Sequence, residues 1–175
     1  MGEPTQAFSL WTQQPDGPEF LLLPSSRSLQ TIEAIRSHLE ANHAENLVKV
    51  EPVALAGVNR RERFFLRDAN QESFSADLPA DTAIEVDCRA LAPYLPSDPE
   101  MLKLIKLDIE GAEVEVLDAL FQNGGTKKTI IVMELHNTPV TRSWIEALAH
   151  RIGFTLEFYE IGAITAHCQL TSPDL

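Results

Sequence analysis

The sequence predicts an α/β protein built on one doubly wound, mostly parallel sheet that ends in an antiparallel hairpin. Segments with the spacing of strands and of helices alternate along most of the 175 residues. Residues 129–135 are almost wholly apolar, which is typical of a parallel strand covered on both faces. Residues 154–172 change to a two-residue period on either side of Gly162, as the two strands of a hairpin do.

The first predicted strand is the apolar run at residues 20–23, which Pro24 ends. Apolar residues then recur at helical spacing over 29–39, and the serines at 25, 26 and 28 offer caps, so a helix follows the strand. Residues 47–55 alternate as a strand does, until Gly57 breaks the pattern.

Two further strands are predicted at 63–66 and 83–87, with a polar loop at 68–81 between them. Residues 102–109 form the next strand and 111–121 a helix, which the sequence Asn-Gly-Gly at 123–125 stops. After the strand at 129–135, the last helix has its apolar face at 144–152, and Gly153 closes it.

The composition is that of one globular domain spanning residues 1–175. The chain is 44% hydrophobic, enough to bury a sizeable core. Its 26 acidic and 14 basic residues give a formal charge of -12, which repels phosphate polymers and anionic bilayers. We therefore expect no nucleic acid and no membrane among its partners.

The sequence shows no targeting or metal-binding pattern. No apolar run approaches the ~20 residues of a membrane-spanning helix, and the first residues lack the regions of a signal peptide. Cys88 and Cys168 are isolated, which predicts neither a disulfide framework nor a zinc site. We expect a cytoplasmic protein.

Asp108 lies at the carboxyl end of a predicted buried strand, where doubly wound sheets bind ligands. It is a candidate contact for an acceptor, a cofactor or a metal; the alternative is a cap on the next helix. Glu110 and Glu113 lie in the first turn of that helix, where offsetting the helix dipole by ~0.3–1 kcal/mol each explains both. Gly111 permits close approach or packing at the turn.

Glu134 and His136 end the neighbouring strand, two residues apart and so on the same side of it. With Asp108 they could form a cluster suited to a divalent ion or to acid–base chemistry. A Glu and a His that satisfy one another at a sheet edge would have the same sequence. We assign catalysis to these three residues and predict no metal.

A basic stretch, residues 59–67, stands out in this acidic chain. We interpret it as an edge strand protected by charge. The alternative is a binding site for an anionic acceptor such as a sugar phosphate. The histidines outside the predicted site, His38, His43, His150 and His167, are assigned no role.

The run LIKLDIEGAEVEVL, residues 104–117, resembles the IKLDIEGAE signature of FkbM-type S-adenosylmethionine-dependent methyltransferases. The sequence MELH at 133–136 is similar to the family's next strand end. Residues 42–57, 73–75 and 84–94 also resemble family segments. The similarity covers roughly residues 20–136.

The resemblance implies a Rossmann-like methyltransferase sheet with S-adenosyl-L-methionine as cofactor, held near Asp108, Glu110 and Gly111. It also implies methyl transfer to a hydroxyl of a small-molecule or carbohydrate acceptor, near Glu134 and His136. Such a transfer is an in-line displacement, so the protein supplies alignment and a group that takes the hydroxyl proton.

The chain departs from the family at its amino-terminal end. Family members carry a strand and a glycine-rich turn before the segment matching Phe20, and an acid before Pro where this chain has Leu23. Here only Gly2 and Gly17 precede Phe20, and we interpret residues 1–19 as the remnant of the first helix.

Without its first strand the sheet would have a gap between residues 20–23 and 102–109. We expect an incomplete chain, a homo-oligomer or second chain covering the exposed edges, or a sheet that closes differently. The alternative function is a catalytically inactive binding or assembly module that has lost the cofactor.

Overall fold

The structure, a computed structural model, describes residues 7–14, 17–24, 29–66, 72–73, 83–109, 111–122, 127–136, 138–161 and 165–175. It describes side chains for residues 32–63, 85–109, 111–122, 127–135, 140–159 and 165–175. The strands are β1 (Ala7–Gln14), β2 (Gly17–Pro24), β3 (Val48–Val50), β4 (Ala54–Leu55), β5 (Arg60–Leu66), β6 (Glu72–Ser73), β7 (Ala83–Arg89), β8 (Lys103–Leu107), β9 (Thr129–His136), β10 (Thr155–Ile161) and β11 (Thr165–Thr171). The helices are α1 (Leu29–Ala41), α2 (Glu113–Gln122) and α3 (Thr138–Ile152), with a 3₁₀ turn at Ala92–Tyr94.

Seven strands form the main sheet, in the order β10-β11-β9-β8-β1-β2-β3. The pairs β8–β9 and β2–β3 are parallel, and the other neighbouring pairs are antiparallel. It follows that β1 and β11 run against the other five strands. The predicted mixed α/β class and the carboxyl-terminal hairpin are confirmed. The sheet was predicted to be mostly parallel. Most of its strands do run in one direction, but most of its neighbouring pairs are antiparallel.

Strand β1 corrects the interpretation of residues 1–19 as a helix remnant. It pairs with β2 from Ala7↔Pro24 to Gln14↔Gly17, and with β8 from Ser9↔Lys106 to Thr12↔Lys103. Aromatic and β-branched residues in this segment favour a strand, and two facing backbone edges stabilise it there. A gap was predicted in the sheet between residues 20–23 and 102–109. Strand β1 of this chain fills it and runs antiparallel to both of its neighbours.

A second sheet has the order β4-β7-β5-β6, which the sequence did not predict. The strand predicted at 47–55 divides at Pro52, because proline has no N–H to donate and Val53 N–H turns back to the Glu51 carbonyl at 2.9 Å. Its first part is β3 in the main sheet and its second part is β4 here. Strand β6 lies within the predicted loop at 68–81, whose remaining residues are outside the described part of the chain.

One face of the main sheet carries the core. Side chains of β8, β9 and β11 alternate in burial and pack with α2 and α3 on their buried side. The residues of this core include Ile105, Leu107, Ile131, Met133, Leu135, Leu117, Ile145 and Leu148. On the opposite face Leu104 is 39% exposed, and Ile130 and Val132 are half-buried. Residues 129–135 are therefore buried on one face and half-buried on the other, where the prediction had both faces covered.

The helices follow the predicted apolar faces. Ile32 and Ile35 of α1 are buried, as are Ile145, Leu148 and Ala149 of α3. Gly153, at φ 74°, ends α3, and Phe154 N–H donates to the Ala149 carbonyl at 3.0 Å. The predicted caps at 25–28, the stop at 123–125 and the turn at Gly162 lie outside the described residues. No helix in the described part of the chain is long and apolar enough to cross a membrane.

The carboxyl-terminal residues 172–174, here called the terminal clasp, close the amino end of β9. Ser172 N–H donates to the Thr129 carbonyl at 2.9 Å, and Thr129 N–H donates to Ser172 Oγ at 2.9 Å. Asp174 Oδ1 accepts from Lys128 N–H at 3.0 Å. Nearby, the buried Lys103 ammonium donates to the carbonyls of Met101 and Lys127, and burial lowers its pKa.

Candidate functional site

The carboxyl ends of β8 and β9 lie side by side. These strands are parallel with Leu107 opposite Met133, so the residues that follow, Asp108 and Glu134, are at the same level of the sheet. Both belong to the half-buried side of the alternation rather than to the core side. The predicted proximity of the two strand ends is thus present in the backbone.

Two acids at this edge of the sheet, Asp108 and Glu134, were predicted to be catalytic. Asp108 is the more enclosed of the two. Its side chain is 13% exposed, and Oδ2 accepts from Lys106 Nζ at 3.2 Å. Its Oδ1 is fully buried and has no hydrogen-bond partner among the described residues. A buried carboxylate oxygen is costly without a donor, so this atom is available to a hydrogen-bonding ligand.

The turn after Asp108 explains the glycine of the signature. Ala112 N–H donates to the Ile109 carbonyl at 3.3 Å, and Gly111 has φ 97° at the third position of that four-residue turn, as a type II turn requires. Nothing lies within 4 Å of the place where a Cβ would stand. The glycine is therefore needed for its backbone conformation; no described residue packs against it, and the close approach of a ligand there stays a prediction.

Glu113 stabilises the same turn. It is completely buried, and its Oε1 accepts from Ile109 N–H at 3.2 Å. It also lies in the first turn of α2, where a negative charge offsets the helix dipole. The interpretation that Glu113 serves its own helix therefore agrees with its place, and Glu110 lies outside the described residues.

Glu115 is a residue that the sequence analysis missed. Its Oε1 accepts from Gly57 N–H at 2.9 Å, and its two oxygens accept from Nη1 and Nη2 of Arg60, the latter at 3.0 Å. These contacts with Arg60 lower the pKa of Glu115 and raise that of Arg60. No local pattern could reveal a pair 55 positions apart.

Two arginines of the basic stretch at 59–67 are paired with acids of this chain. Besides Glu115, Arg60 contacts Glu62 at 2.6 Å, and Arg61 Nε donates to Asp87 at 3.1 Å. Strand β5 pairs with β7 from Arg60 to Phe65 but with β6 only at Phe65 and Leu66, so among the described residues the arginine-bearing part of this stretch lies at a sheet edge, as predicted. Two of its arginines are also engaged rather than available to an anion.

Glu134 has a neighbour on the hairpin. His167, to which the sequence analysis gave no role, has its Nε2 3.8 Å from Glu134 Oε2, across the β9–β11 pairing. The backbone of His136 pairs with Thr165, while its side chain lies outside the described set. Among the described residues, no group of three or more His, Cys, Asp or Glu side chains could hold a metal ion.

The two cysteines are buried in separate places. Burial raises the pKa of the Cys88 thiol in the second sheet. It also raises the pKa of Cys168, in β11, to about 12. Thiols held protonated in this way are poor nucleophiles, so neither cysteine belongs to the candidate site.

Comparison with known proteins identifies a family. A family model described as the methyltransferase FkbM domain matches residues 8–164. The crystal structure of methyltransferase FkbM from Methylobacillus flagellatus KT is similar at 14% identity with a TM-score of 0.49. That match covers 81% of this chain and 33% of the other, so this chain spans about a third of that protein's length. Comparison with curated proteins returned no match.

Proposed function

Because the chain belongs to the methyltransferase FkbM family, whose model matches residues 8–164, we propose that it is an S-adenosyl-L-methionine-dependent O-methyltransferase domain. The family supports methyl transfer, and the proposed acceptor is a hydroxyl of a small molecule or sugar. One observation carries the assignment of the site: Asp108, at the carboxyl end of β8, keeps Oδ1 buried without a hydrogen bond from the described residues.

The surroundings of Asp108 suit part of a cofactor site. A hydroxyl or amine of a bound ligand would supply the donor that Oδ1 lacks. The open space beside Gly111 leaves room for a ligand at the turn. We therefore assign cofactor binding to Asp108, Glu110 and Gly111.

When bound, S-adenosyl-L-methionine supplies a methyl group on a positively charged sulfur. The chain's own task is to hold the acceptor hydroxyl in line and to accept its proton. The carboxylates of Asp108 and Glu134, at the ends of adjacent strands, can accept a hydrogen bond from that hydroxyl. His136, which ends β9, is the third residue that we assign to catalysis.

A neutral acceptor agrees better with the charges than an anionic one. Arg60 and Arg61 are paired with acids of this chain, and the formal charge is -12. Desolvating an anion beside Asp108 and Glu134 would be opposed by like charge. We propose a neutral hydroxyl compound, with neither a nucleic acid nor a membrane as partner.

Calorimetric titration of the full chain with S-adenosyl-L-methionine tests the cofactor assignment. We expect saturable binding, and Asp108→Asn to weaken it about tenfold or more, because a hydrogen bond to a charged group contributes ~1.5–3 kcal/mol. Asp118→Asn, which changes a carboxylate on α2 remote from the turn, is the matched control and should bind as the wild type does. Absence of binding at millimolar cofactor would exclude the autonomous enzyme.

The alternative is a catalytically inactive module that keeps the sheet for binding or assembly. The direction of β1 favours it, because β1 is antiparallel to both β2 and β8 at the place in the sheet where the family's first, parallel strand would lie. Leu23, in place of the acid that binds ribose hydroxyls in the family, also favours it. A chain that folds cooperatively but binds no cofactor would support this second function.

A further inference from the structure

One carboxylate connects the second sheet with the helix that follows Asp108. Glu115, on α2, accepts hydrogen bonds from Gly57 N–H and from both terminal nitrogens of Arg60, which lies on β5. The remaining guanidinium nitrogen, Arg60 Nε, donates to Glu62 Oε2 at 2.6 Å. A guanidinium bound by two acids has little rotational freedom. The contact therefore fixes the orientation of the Arg60 guanidinium relative to Glu115 as well as the distance between them.

The backbone of the second sheet approaches α2 very closely at the same point. A Cβ on Gly57 would lie 2.8 Å from Glu115 Cγ and 3.0 Å from the Glu115 carbonyl oxygen. Part of this obstruction is helix backbone, which cannot rotate away. The loop before β5 is therefore seated directly on the amino-terminal half of α2.

The contact continues to Asp108 through a short path. Glu113, two residues before Glu115 on α2, accepts the Ile109 N–H through Oε1. Ile109 follows Asp108 in the chain, and its carbonyl accepts from Ala112 N–H. Each connection is a hydrogen bond or adjacent backbone, so a shift of α2 at Glu115 moves the turn at Ile109.

We propose that Arg60 is a positioning residue for the site at Asp108. Together with Gly57 it holds Glu115, and through α2 it sets where the turn at Ile109 places the Asp108 carboxylate. Arg60 touches neither cofactor nor acceptor in this assignment. The inference rests on the proposed function for its catalytic meaning, whereas the mechanical coupling itself can be measured without any ligand.

Hydrogen exchange measured on the full chain tests the coupling. We expect Arg60→Gln to speed exchange of the Ile109 and Ala112 amides about tenfold, with much less change in the carboxyl-terminal half of α2. Arg60→Lys keeps the charge but loses the two-pronged contact and should give an intermediate effect. If Arg60→Gln does not fold, the Lys variant and Glu115→Gln decide the matter.

Arg151→Gln is the matched control, because Arg151, on α3, pairs with Asp118 of α2 at 3.0 Å, away from the turn. It should leave exchange at Ile109 and Ala112 unchanged. Equal acceleration along all of α2, or none at the turn, would overturn the proposal and indicate a contact that only stabilises the fold.

Cofactor titration separates this proposal from the proposed function. We expect Arg60→Gln to weaken S-adenosyl-L-methionine binding about fivefold while Arg151→Gln does not. Altered exchange with wild-type affinity would overturn the positioning role. If the wild type itself binds no cofactor, the proposed function fails, and the exchange experiment alone decides whether Arg60 positions the turn.

Discussion

At the level of single residues, the signature around Asp108 divides its work among several side chains. Asp108 keeps a buried oxygen without a hydrogen bond from the described residues, Gly111 adopts a positive φ and Glu113 accepts a hydrogen bond in the turn. Glu115 faces away, to Arg60 on the second sheet. Acids that look alike in the sequence therefore serve a site, a turn and a contact between sheets.

Gly111→Ala should lower the free energy of unfolding by about 1–2 kcal/mol, because an L-residue is strained at φ 97°. No steric term is expected, since nothing lies within 4 Å of the new Cβ. Urea denaturation measures the change. Gly111→Asn is the control and should recover part of the loss, because Asn tolerates left-handed conformations; an alanine variant as stable as the wild type would contradict the turn assignment.

Glu115→Gln should change how stability depends on pH. The Arg60 contact lowers the pKa of Glu115 from 4.5, so its contribution is complete above that value and is lost as pH falls through the folded pKa. Because the side chain is 42% exposed, we expect only about 0.5–1 kcal/mol at neutral pH. Thermal denaturation from pH 3 to pH 7 should show the variant approaching the wild type at acid pH.

Glu146→Gln provides the comparison for that experiment. Glu146 pairs with Arg142 one turn away on α3, and both side chains are exposed. It should cost about 0.3–0.5 kcal/mol, as helix surface pairs do. A Glu115 variant no more costly than this control at every pH would mean that the contact with Arg60 stabilises the protein no more than an exposed helix pair does.

At the level of elements, the terminal clasp shows how a strand end is completed by a distant segment. Ser172 and Thr129 exchange two hydrogen bonds, and Ser172 is only 3% exposed. Asp174 receives a third from Lys128 N–H, and hydrogen bonds from the Ser172 side chain and from Lys128 N–H lower the Asp174 pKa. The terminal clasp thus fixes where β9 begins.

Ser172→Ala should destabilise the protein by about 1–3 kcal/mol, because it removes the acceptor of the buried Thr129 N–H. The urea midpoint should fall while the slope of the transition stays constant. Ser143→Ala, on an exposed position of α3, is the matched control and should change stability by less than about 0.5 kcal/mol. A Ser172 variant within that range would show that solvent replaces the lost acceptor.

Elements with strong local periodicity were predictable from the sequence. Strands β8, β9, β10 and β11 and the apolar faces of α1 and α3 all agree with their patterns, because period and burial coincide there. The location of Asp108 beside Glu134 also followed, since parallel strands end at one edge.

The remaining elements depend on contacts that no local pattern encodes. Residues 8–11 suit a strand as well as a helix end, and only the two open edges of β2 and β8 select the strand. Division of residues 47–55 between two sheets, and the pairing of Arg60 with Glu115, join segments far apart in the chain. Tertiary context therefore decided what propensity left open.

At the level of the whole molecule, the main sheet is continuous only because of β1. Leu10 lies in the middle of this strand, opposite both Leu21 of β2 and Ile105 of β8. A strand with neighbours on both sides uses every N–H in one ladder or the other. The integrity of the sheet can therefore be tested at this residue.

Leu10→Pro should cost about 3 kcal/mol or more, because proline removes a ladder donor from a central strand. We expect a broadened thermal transition and association of molecules through the exposed edges, measured by size-exclusion chromatography with light scattering. Leu10→Val is the control and should remain monodisperse to the same degree as the wild type. A proline variant that unfolds as the wild type does would contradict the central place of β1.

The pairing of β1 with β8 also ties the first quarter of the chain to its second half by main-chain hydrogen bonds. A peptide bond cut between β6 and β7 would consequently leave two pieces joined by the β1–β8 ladder, by the ladders of β7 with β4 and β5, and by the Arg60–Glu115 contact. The chain is thus suited to reconstitution from two separately expressed fragments, with β1 acting as the strand by which one fragment recognises the other.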